Sequence, residues 1–302
     1  MGLTYLQYDV FTGEPLTGNQ LAVFLDGRGV STTRMQAIAK EMNFSESTFI
    51  LPADAPGTDV RMRIFTPGLE LPMAGHPTIG STFALAHAAV IPPGTGRFVF
   101  GLGVGPTPVD LEWEGGRLRF AWMTQLNPTF DPPIADRAGA AAAIGLSIQD
   151  LVPDLPVQRI SCGVPFMFIP LRDPSVVDRA ETNLAAFRTF VGSNGLESDT
   201  CLFFFAMSRP GSAETVYSRM FAPGAGISED PATGGASGPL GCYLVRYGLV
   251  TGAAAQRIVS AQGVFMGRPS RIHISISGTA DAITQVKVGG EAVLVARGEL
   301  LV

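Results

Sequence analysis

The chain repeats itself, and that constrains its fold more than any other feature. Arg63-Ile64-Phe65-Thr66-Pro67-Gly68 recurs as Arg219-Met220-Phe221-Ala222-Pro223-Gly224. Downstream, Ala74-Gly75-His76-Pro77-Thr78-Ile79-Gly80 lines up with Ala232-Thr233-Gly234-Gly235-Ala236-Ser237-Gly238, with two extra residues in the second copy. Each copy then runs into a small-residue apolar helix, Ser81 to Ala88 in one and Pro239 to Tyr247 in the other. Two in-register matches of this kind mark one supersecondary unit used twice. A length of 302 residues suits two domains of about 150 residues each. The expected division is a first lobe over 1–126 and a second over 127–287, joined across the Pro-rich stretch Asn127 to Pro133.

The remaining pieces read as short strands. Tyr5 to Phe11 and Leu21 to Leu25 form a long hairpin. Ser31, Thr32 or Thr33 caps a helix over Met35–Met42, and Asn43 is its left-handed stop. Ser45 to Leu51 turns β-branched and apolar, so Glu46 sits where a helix hands over to a strand. Further strands are expected at Val60–Thr66, Arg97–Phe100, Leu111–Trp122, Arg159–Ile169, Leu202–Met207, Ile258–Gln262, Arg271–Ser277 and Ala292–Val295. Ala138–Ile144 and Leu184–Val191 read as surface helices of the second lobe. A helix wrapped by a mostly antiparallel sheet in each lobe uses these pieces economically.

Composition narrows the function. The net charge of −5 is spread along the chain with no Lys/Arg cluster, so nucleic acid is not expected as a partner. The segment Met1–Asp9 lacks the features of a signal peptide, and no run of 18 apolar residues occurs, so no membrane partner is expected. Cys162, Cys201 and Cys242 are odd in number and far apart, which fits reduced thiols in a cytoplasm and not a disulfide framework or a zinc site. No metal or cofactor is expected. Gly101-Leu102-Gly103-Val104-Gly105 is followed by Pro106 and Pro108, so no helix opens there and the dinucleotide fingerprint is absent. Ser237 is outside a Gly-x-Ser-x-Gly elbow because Pro239 takes the last place.

A Gly-rich turn opening a helix offers backbone N–H groups and the positive end of the helix dipole to an anion. A single such turn is more often mere tight-turn chemistry; the duplication favours a pair of turns gripping one small carboxylate. His76, before Pro77, reads as a hydrogen-bonding group for substrate. Asp230, before Pro231, reads either as a cap or as a ligand-binding group. Glu46, between Phe44 and Phe49, would be partly desolvated, which lifts a carboxyl toward the range of a general acid/base.

These residues resemble a known family. Gly18-Asn19-Gln20-Leu21-Ala22-Val23-Phe24, Glu41-Met42-Asn43-Phe44-Ser45-Glu46-Ser47-Thr48-Phe49, Leu71-Pro72-Met73-Ala74-Gly75-His76-Pro77 and Glu229-Asp230-Pro231-Ala232-Thr233-Gly234 are similar to motifs of the phenazine-biosynthesis PhzF family. The likeness runs through Gly263-Val264-Phe265-Met266-Gly267-Arg268-Pro269-Ser270. It implies an α+β fold of diaminopimelate epimerase type: two pseudo-symmetric lobes, each a barrel-like sheet around a helix, the site between them, and a last strand (about 288–302) returning to the first lobe. Racemases of that fold carry one cysteine in each turn; Ala74 and Thr233 stand there, which excludes a two-thiol mechanism. The resemblance implies a cofactor-independent isomerase in which Glu46 is the single acid/base. His76 and Asp230 would hold polar groups of a substrate like trans-2,3-dihydro-3-hydroxyanthranilate. Gly234 and Gly235, with Thr233, would receive its carboxylate, and Gly75 and His76 would close the other side. Gly235 replaces a serine of the family's best-known member. A homodimer is implied too. The alternative is a non-catalytic protein that retains the cleft and binds a small molecule.

Overall fold

The structure is a computed structural model that describes residues 2–301. The chain forms two compact units: one runs up to Gln125 and resumes at Lys287, the other spans Leu126–Val286.

The first unit holds β1 (Gly2–Val10), β2 (Asn19–Phe24), β3 (Glu46–Pro52), β4 (Val60–Phe65), β5 (Glu70–Leu71), β6 (Arg97–Leu102), β7 (Gly105–Glu114) and β8 (Arg117–Gln125), with two helices, α1 (Thr32–Met42) and α2 (Gly75–His87). β1 pairs antiparallel with β2, β2 parallel with β3, and β3 antiparallel with β4. β4 then pairs antiparallel with β5 and parallel with β6, which pairs antiparallel with β7.

Side-chain parity decides what each face meets, because successive residues of a strand point to opposite faces. Ala22, Phe24, Phe49 and Phe65 take one face and pack with Met35, Ile38 and Ala39 of α1. The rings of Phe24 and Phe49 stack at 4.7 Å. Helix α1 starts where the Ser31 side chain accepts from the Arg34 N–H and stops at left-handed Asn43 (φ 52°), as expected. The opposite face meets α2, whose residues 75–85 are all buried. A helix apolar all round belongs inside a fold, not on its surface.

The second unit holds β9 (Thr129–Phe130), β10 (Gln158–Ser161), β11 (Pro165–Pro170), β12 (Leu202–Met207), β13 (Val216–Ala222), β14 (Ile227–Asp230), β15 (Ile258–Gln262) and β16 (Ser270–Gly278). Its helices are α3 (Arg137–Ala143), α4 (Pro174–Arg179), α5 (Leu184–Ser193) and α6 (Gly234–Arg246). Its ladder repeats the first unit's rule. β10–β11 is antiparallel, β11–β12 parallel, β12–β13 and β13–β14 antiparallel, β13–β15 parallel and β15–β16 antiparallel. The continuous run Leu202–Ala206 is buried on both faces: Phe203 and Phe205 pack with Leu240 and Tyr243 of α6. Leu202, Phe204 and Ala206 pack with Ala140, Val177 and Phe187 of the three outer helices. The chain then passes into β17 (Ile283–Gly290) and β18 (Ala292–Leu301), which pairs antiparallel with β1, while β17 pairs with β8. Helix α2 touches β1, β2, β3, β8 and β18, so the first unit's sheet curls around it.

Two stretches expected as single strands are hairpins. Leu111–Trp122 turns at Gly115-Gly116 between β7 and β8, and Arg159–Ile169 turns after Ser161 between β10 and β11. The strand β17 was not foreseen.

The duplication extends further than the sequence match, in a corrected register. Arg63 of β4 grips Glu70 with Nε–Oε1 at 2.7 Å and Nη2–Oε2 at 2.6 Å. Arg219 of β13 grips Glu229 the same way, both distances 2.8 Å. From those glutamates onward the copies run without a gap, so Ala74 and Thr233 are the N-caps of α2 and α6. Gly75 therefore matches Gly234, His76 matches Gly235 and Thr78 matches Ser237, one residue off the letter match. The hydroxyls of Thr78 and Ser237 donate to the N-cap carbonyls at 2.8 and 2.9 Å. Both helices end alike: the N–H groups of Val90 and Ile91 donate to Leu85 O, and those of Leu249 and Val250 to Leu244 O. The extra residues of the second copy number three, not two, and lie before Glu229, where Pro223–Ala225 forms a 3-10 turn.

Candidate functional site

The glycine turns expected ahead of the two helices are the helices' own first turns, since α2 begins at Gly75 and α6 at Gly234. His76 is therefore a helix residue and is buried, 3% exposed, where the sequence reading began the helix only at Ser81. Its neighbours follow from two periodicities. Glu46 and Thr48 share one face of β3, and His76 and Ser81 lie little more than a turn apart on α2. Thr48 Oγ1 and Ser81 Oγ are 2.9 Å apart, and Glu46 Oε2 lies 3.2 Å from His76 Nε2. The strand and the helix thus touch at two consecutive polar pairs.

The other ring nitrogen, His76 Nδ1, lies 3.2 Å from Asn19 Nδ2. Asn19 opens β2, is 1% exposed, and shares the α2-facing side of that strand with Leu21, which pairs with Glu46 across the ladder. So the first unit assembles Asn19, His76 and Glu46 in a row. Only 14% of the Glu46 side chain is exposed. Phe49, expected to desolvate it, points to the α1 face instead; three residues along a strand reverse the side. Glu46 is enclosed on the side it shares with α2.

Gly80 makes this approach possible. It lies one turn beyond His76 on the same face of α2, and a Cβ there would meet Leu21 Cδ2 at 2.6 Å and Val10 Cγ2 at 2.7 Å. A side chain there would force Leu21, Val10 or the helix itself to shift.

In the second unit, Asp230 (5% exposed) ends β14 and Thr233 (8% exposed) caps α6. Thr233 Oγ1 donates to Asp230 Oδ2 at 2.6 Å. Gln262, fully buried at the end of β15, organises this corner: its Oε1 accepts from the Thr233 N–H at 3.0 Å. Its Nε2 donates to Asp230 O and to Thr233 Oγ1, both at 2.8 Å. The hydroxyl of Thr233 is thereby fixed as donor to the Asp230 carboxylate. The next residue, Gly263, has φ 71°, and a Cβ there would meet Arg268 O at 2.3 Å and Pro231 O at 2.5 Å. Its left-handed, crowded backbone admits glycine alone. Gly234 and Gly235 are the first residues of α6, at the positive end of its dipole. Ser237 Oγ is bound to Thr233 O, so it does not stand in for the family serine. A cleft of about 480 Å³ elsewhere on the first unit, lined by Arg61, Arg63, Glu70 and Gly103, includes neither Glu46 nor His76. Its arginines are already paired with Asp54 and Glu70.

Sequence reasoning named Glu46, His76, Gly75, Asp230, Thr233, Gly234 and Gly235 but not Asn19 or Gln262 as site residues. Their signal was a polar residue in a buried slot of an alternating strand: Asn19 in register with Leu21 and Val23, and Gln262 with Ile258 and Ser260.

A sequence profile of the family described as "Phenazine biosynthesis-like protein" matches residues 8–298. The chain belongs to the PhzC-PhzF family. Within it, the trans-2,3-dihydro-3-hydroxyanthranilate isomerase of Pseudomonas aeruginosa is 35% identical over 294 residues, 97% of this chain and 98% of that protein. A crystal structure of a PhzF-family phenazine biosynthesis protein from Bacillus anthracis superposes with a TM-score of 0.87 at 26% identity, covering 100% of both chains. The hydroxyproline epimerase of Agrobacterium vitis, at 12% identity, covers 99% of this chain and 92% of its own with a TM-score of 0.69. The α+β epimerase-type fold expected for a PhzF-like chain is the fold observed, and the family's relatives carry the name isomerase, as expected. Among the described residues no helix is long and apolar enough to cross a membrane.

Proposed function

We propose that this PhzF-family protein is a cofactor-independent isomerase that moves a proton between carbons of a small carboxylate metabolite, with Glu46 as the acid/base. The observation that carries the reading is the enclosed Glu46 carboxylate, 3.2 Å from a buried histidine at the start of α2. A structural ion pair has no need of a third polar residue, Asn19, behind the histidine. In the proposed reaction a substrate C–H bond breaks as an O–H bond forms on Glu46, and the electron pair stays on the substrate. The O–H then breaks as a C–H forms at a second carbon, and the carboxylate is restored. A mostly enclosed carboxylate returns most of the proton it takes to the substrate and exchanges the rest with solvent over repeated turnovers, which is what labels the product in heavy water.

Asp230 binds a polar group of the substrate in this reading, while His76, whose two ring nitrogens face Asn19 and Glu46, acts on the substrate through Glu46. The N–H groups of Gly234 and Gly235, with Thr233, take its carboxylate at the positive end of α6, and Gly75 with His76 closes the other side. Gly235 supplies no hydroxyl where the family's best-known member has serine, which costs about 1–3 kcal/mol of binding if that bond meets a charged carboxylate. The substrate named for the Pseudomonas aeruginosa relative is the first to test. The reading includes a cytoplasmic location and a homodimer, the latter checked by sedimentation of the purified protein. Incubation with that compound in heavy water, followed by proton NMR, should show a shifted double bond with deuterium at a ring carbon. Binding with no exchange in this or related cyclic amino acids would replace the isomerase by a small-molecule-binding protein.

A further inference from the structure

The row Asn19, His76, Glu46 does more than place a carboxylate. A neutral imidazole donates from one nitrogen and accepts at the other, and which is which depends on its partners. Asn19 Nδ2, 3.2 Å from His76 Nδ1, carries only donors. It therefore makes Nδ1 the acceptor and leaves the ring proton on Nε2, the nitrogen facing Glu46 Oε2 at 3.2 Å. Turning the amide over would put a proton on Nδ1 and aim the Nε2 lone pair at the carboxylate, which an ionised Glu46 opposes.

We propose that Asn19 is a positioning residue that keeps His76 uncharged, so that a proton taken up by Glu46 stays on Glu46 and returns to the substrate. For the proton to pass on, His76 would have to carry hydrogens on both nitrogens. Its Nδ1–H would then face the Asn19 N–H, donor against donor, at a residue only 1% exposed, where water offers no relief. The helix adds to this. His76 is the second residue of α2, and the positive end of the helix dipole disfavours an imidazolium.

Glu46 on β3 is the carboxylate recorded against the ring. On β1, Asp9 accepts the Leu16 N–H and Tyr8 donates to Phe83 O. Arg297 on β18 meets His87 at the helix's far end. With its ring proton facing the carboxylate, a neutral His76 favours the ionised Glu46 and cannot drain its proton.

This inference rests on the reading of Glu46 as acid/base, and its test is separable from that reading. The chain has three histidines, His76, His87 and His273, so 15N-histidine NMR resolves each ring, with His76→Gln for assignment. In the free protein His76 should show the neutral Nε2–H tautomer unchanged from about pH 5 to 8, where an ordinary histidine titrates. Asn19→Asp, nearly isosteric, should convert it to an imidazolium and lower kcat about 100-fold with KM within a factor of about three. Asn19→Ala should leave the two tautomers mixed. A wild-type His76 that titrates near 6.5 or holds its proton on Nδ1 overturns the proposal, as does an Asn19→Asp protein with unchanged kcat. The tautomer is read without substrate. Its failure leaves Glu46 in place, and a Glu46→Gln protein that still catalyses exchange would remove the acid/base reading without moving the tautomer.

Discussion

Gly80 lies so close to Leu21 that a β-carbon on the glycine would sit 2.6 Å from Leu21 Cδ2. That contact sets the depth of α2 in its sheet, and with it the reach of His76, one turn away, to Asn19 and Glu46. Gly80→Ala gains helix propensity but overpacks a buried contact. The net result should be destabilisation by about 1–3 kcal/mol and a larger loss of kcat than of substrate affinity, measured by urea unfolding and steady-state kinetics. An unchanged kcat would mean that helix depth does not position His76.

The paired arginine–glutamate grips should differ in worth although their geometry is the same. Arg219 and Glu229 have side chains only 4% and 12% exposed, and the arginine also donates to Val177 O and Ala180 O at the end of α4. Phe265 covers its guanidinium at 4.2 Å. Removing one partner of a buried pair strands the other, so Arg219→Met should cost about 3–5 kcal/mol. Arg63→Met, whose partner Glu70 is 38% exposed, should cost about 1 kcal/mol or less. Urea midpoints of the two variants give the comparison directly.

Gln262→Leu keeps volume but removes three hydrogen bonds at the start of α6. It leaves the Thr233 N–H without its acceptor and releases the Thr233 hydroxyl from its fixed direction. Stability should fall by about 1–3 kcal/mol. KM should rise while the neutral tautomer of His76, in the other unit, stays as it is; a spectrum that changed there would contradict the separation of roles.

Thiol chemistry should sort the three cysteines. Cys162 and Cys242 are fully buried with their sulfurs 4.0 Å apart, and the hydrogen bond with the Cys162 thiol together with burial pushes the Cys242 thiol up. The native protein should therefore yield one reactive thiol, half-buried Cys201, and all three after denaturation. Burial also pushes Tyr8 up to about 12. Groups whose folded pKa is raised stabilise the fold below their unfolded pKa and cease to as pH climbs. The urea midpoint should decline as pH passes about 8.5 for the thiol and about 10 for the phenol. A flat alkaline limb would show that neither ionisation is disfavoured by folding.

The duplicated turn-and-helix units were legible in the sequence because each is a local string of small residues with its own chemistry. Their register was not, because matching glycines letter by letter ignores where the helix N-cap falls. It took the Arg–Glu pairs and the hydroxyls of Thr78 and Ser237 to fix it. Leu111–Trp122 read as one strand because half-buried alternation continues on both sides of the Gly115-Gly116 turn. The mistaken environment of Glu46 came from counting Phe49 as near in sequence when strand parity sends it to the far face. Asn19 and Gln262 were silent for a different reason: their partners lie 57 and 29 residues away, beyond any local pattern.

Substrate-carbon exchange in heavy water by the Glu46→Gln protein tests the central claim most directly. Glutamine keeps the size and the contact with His76 but can neither take nor return a proton. With trans-2,3-dihydro-3-hydroxyanthranilate or another substrate turned over by the wild type, exchange and isomerisation should fall at least about 100-fold while binding changes little. Exchange at the wild-type rate would contradict the assignment of the proton to Glu46.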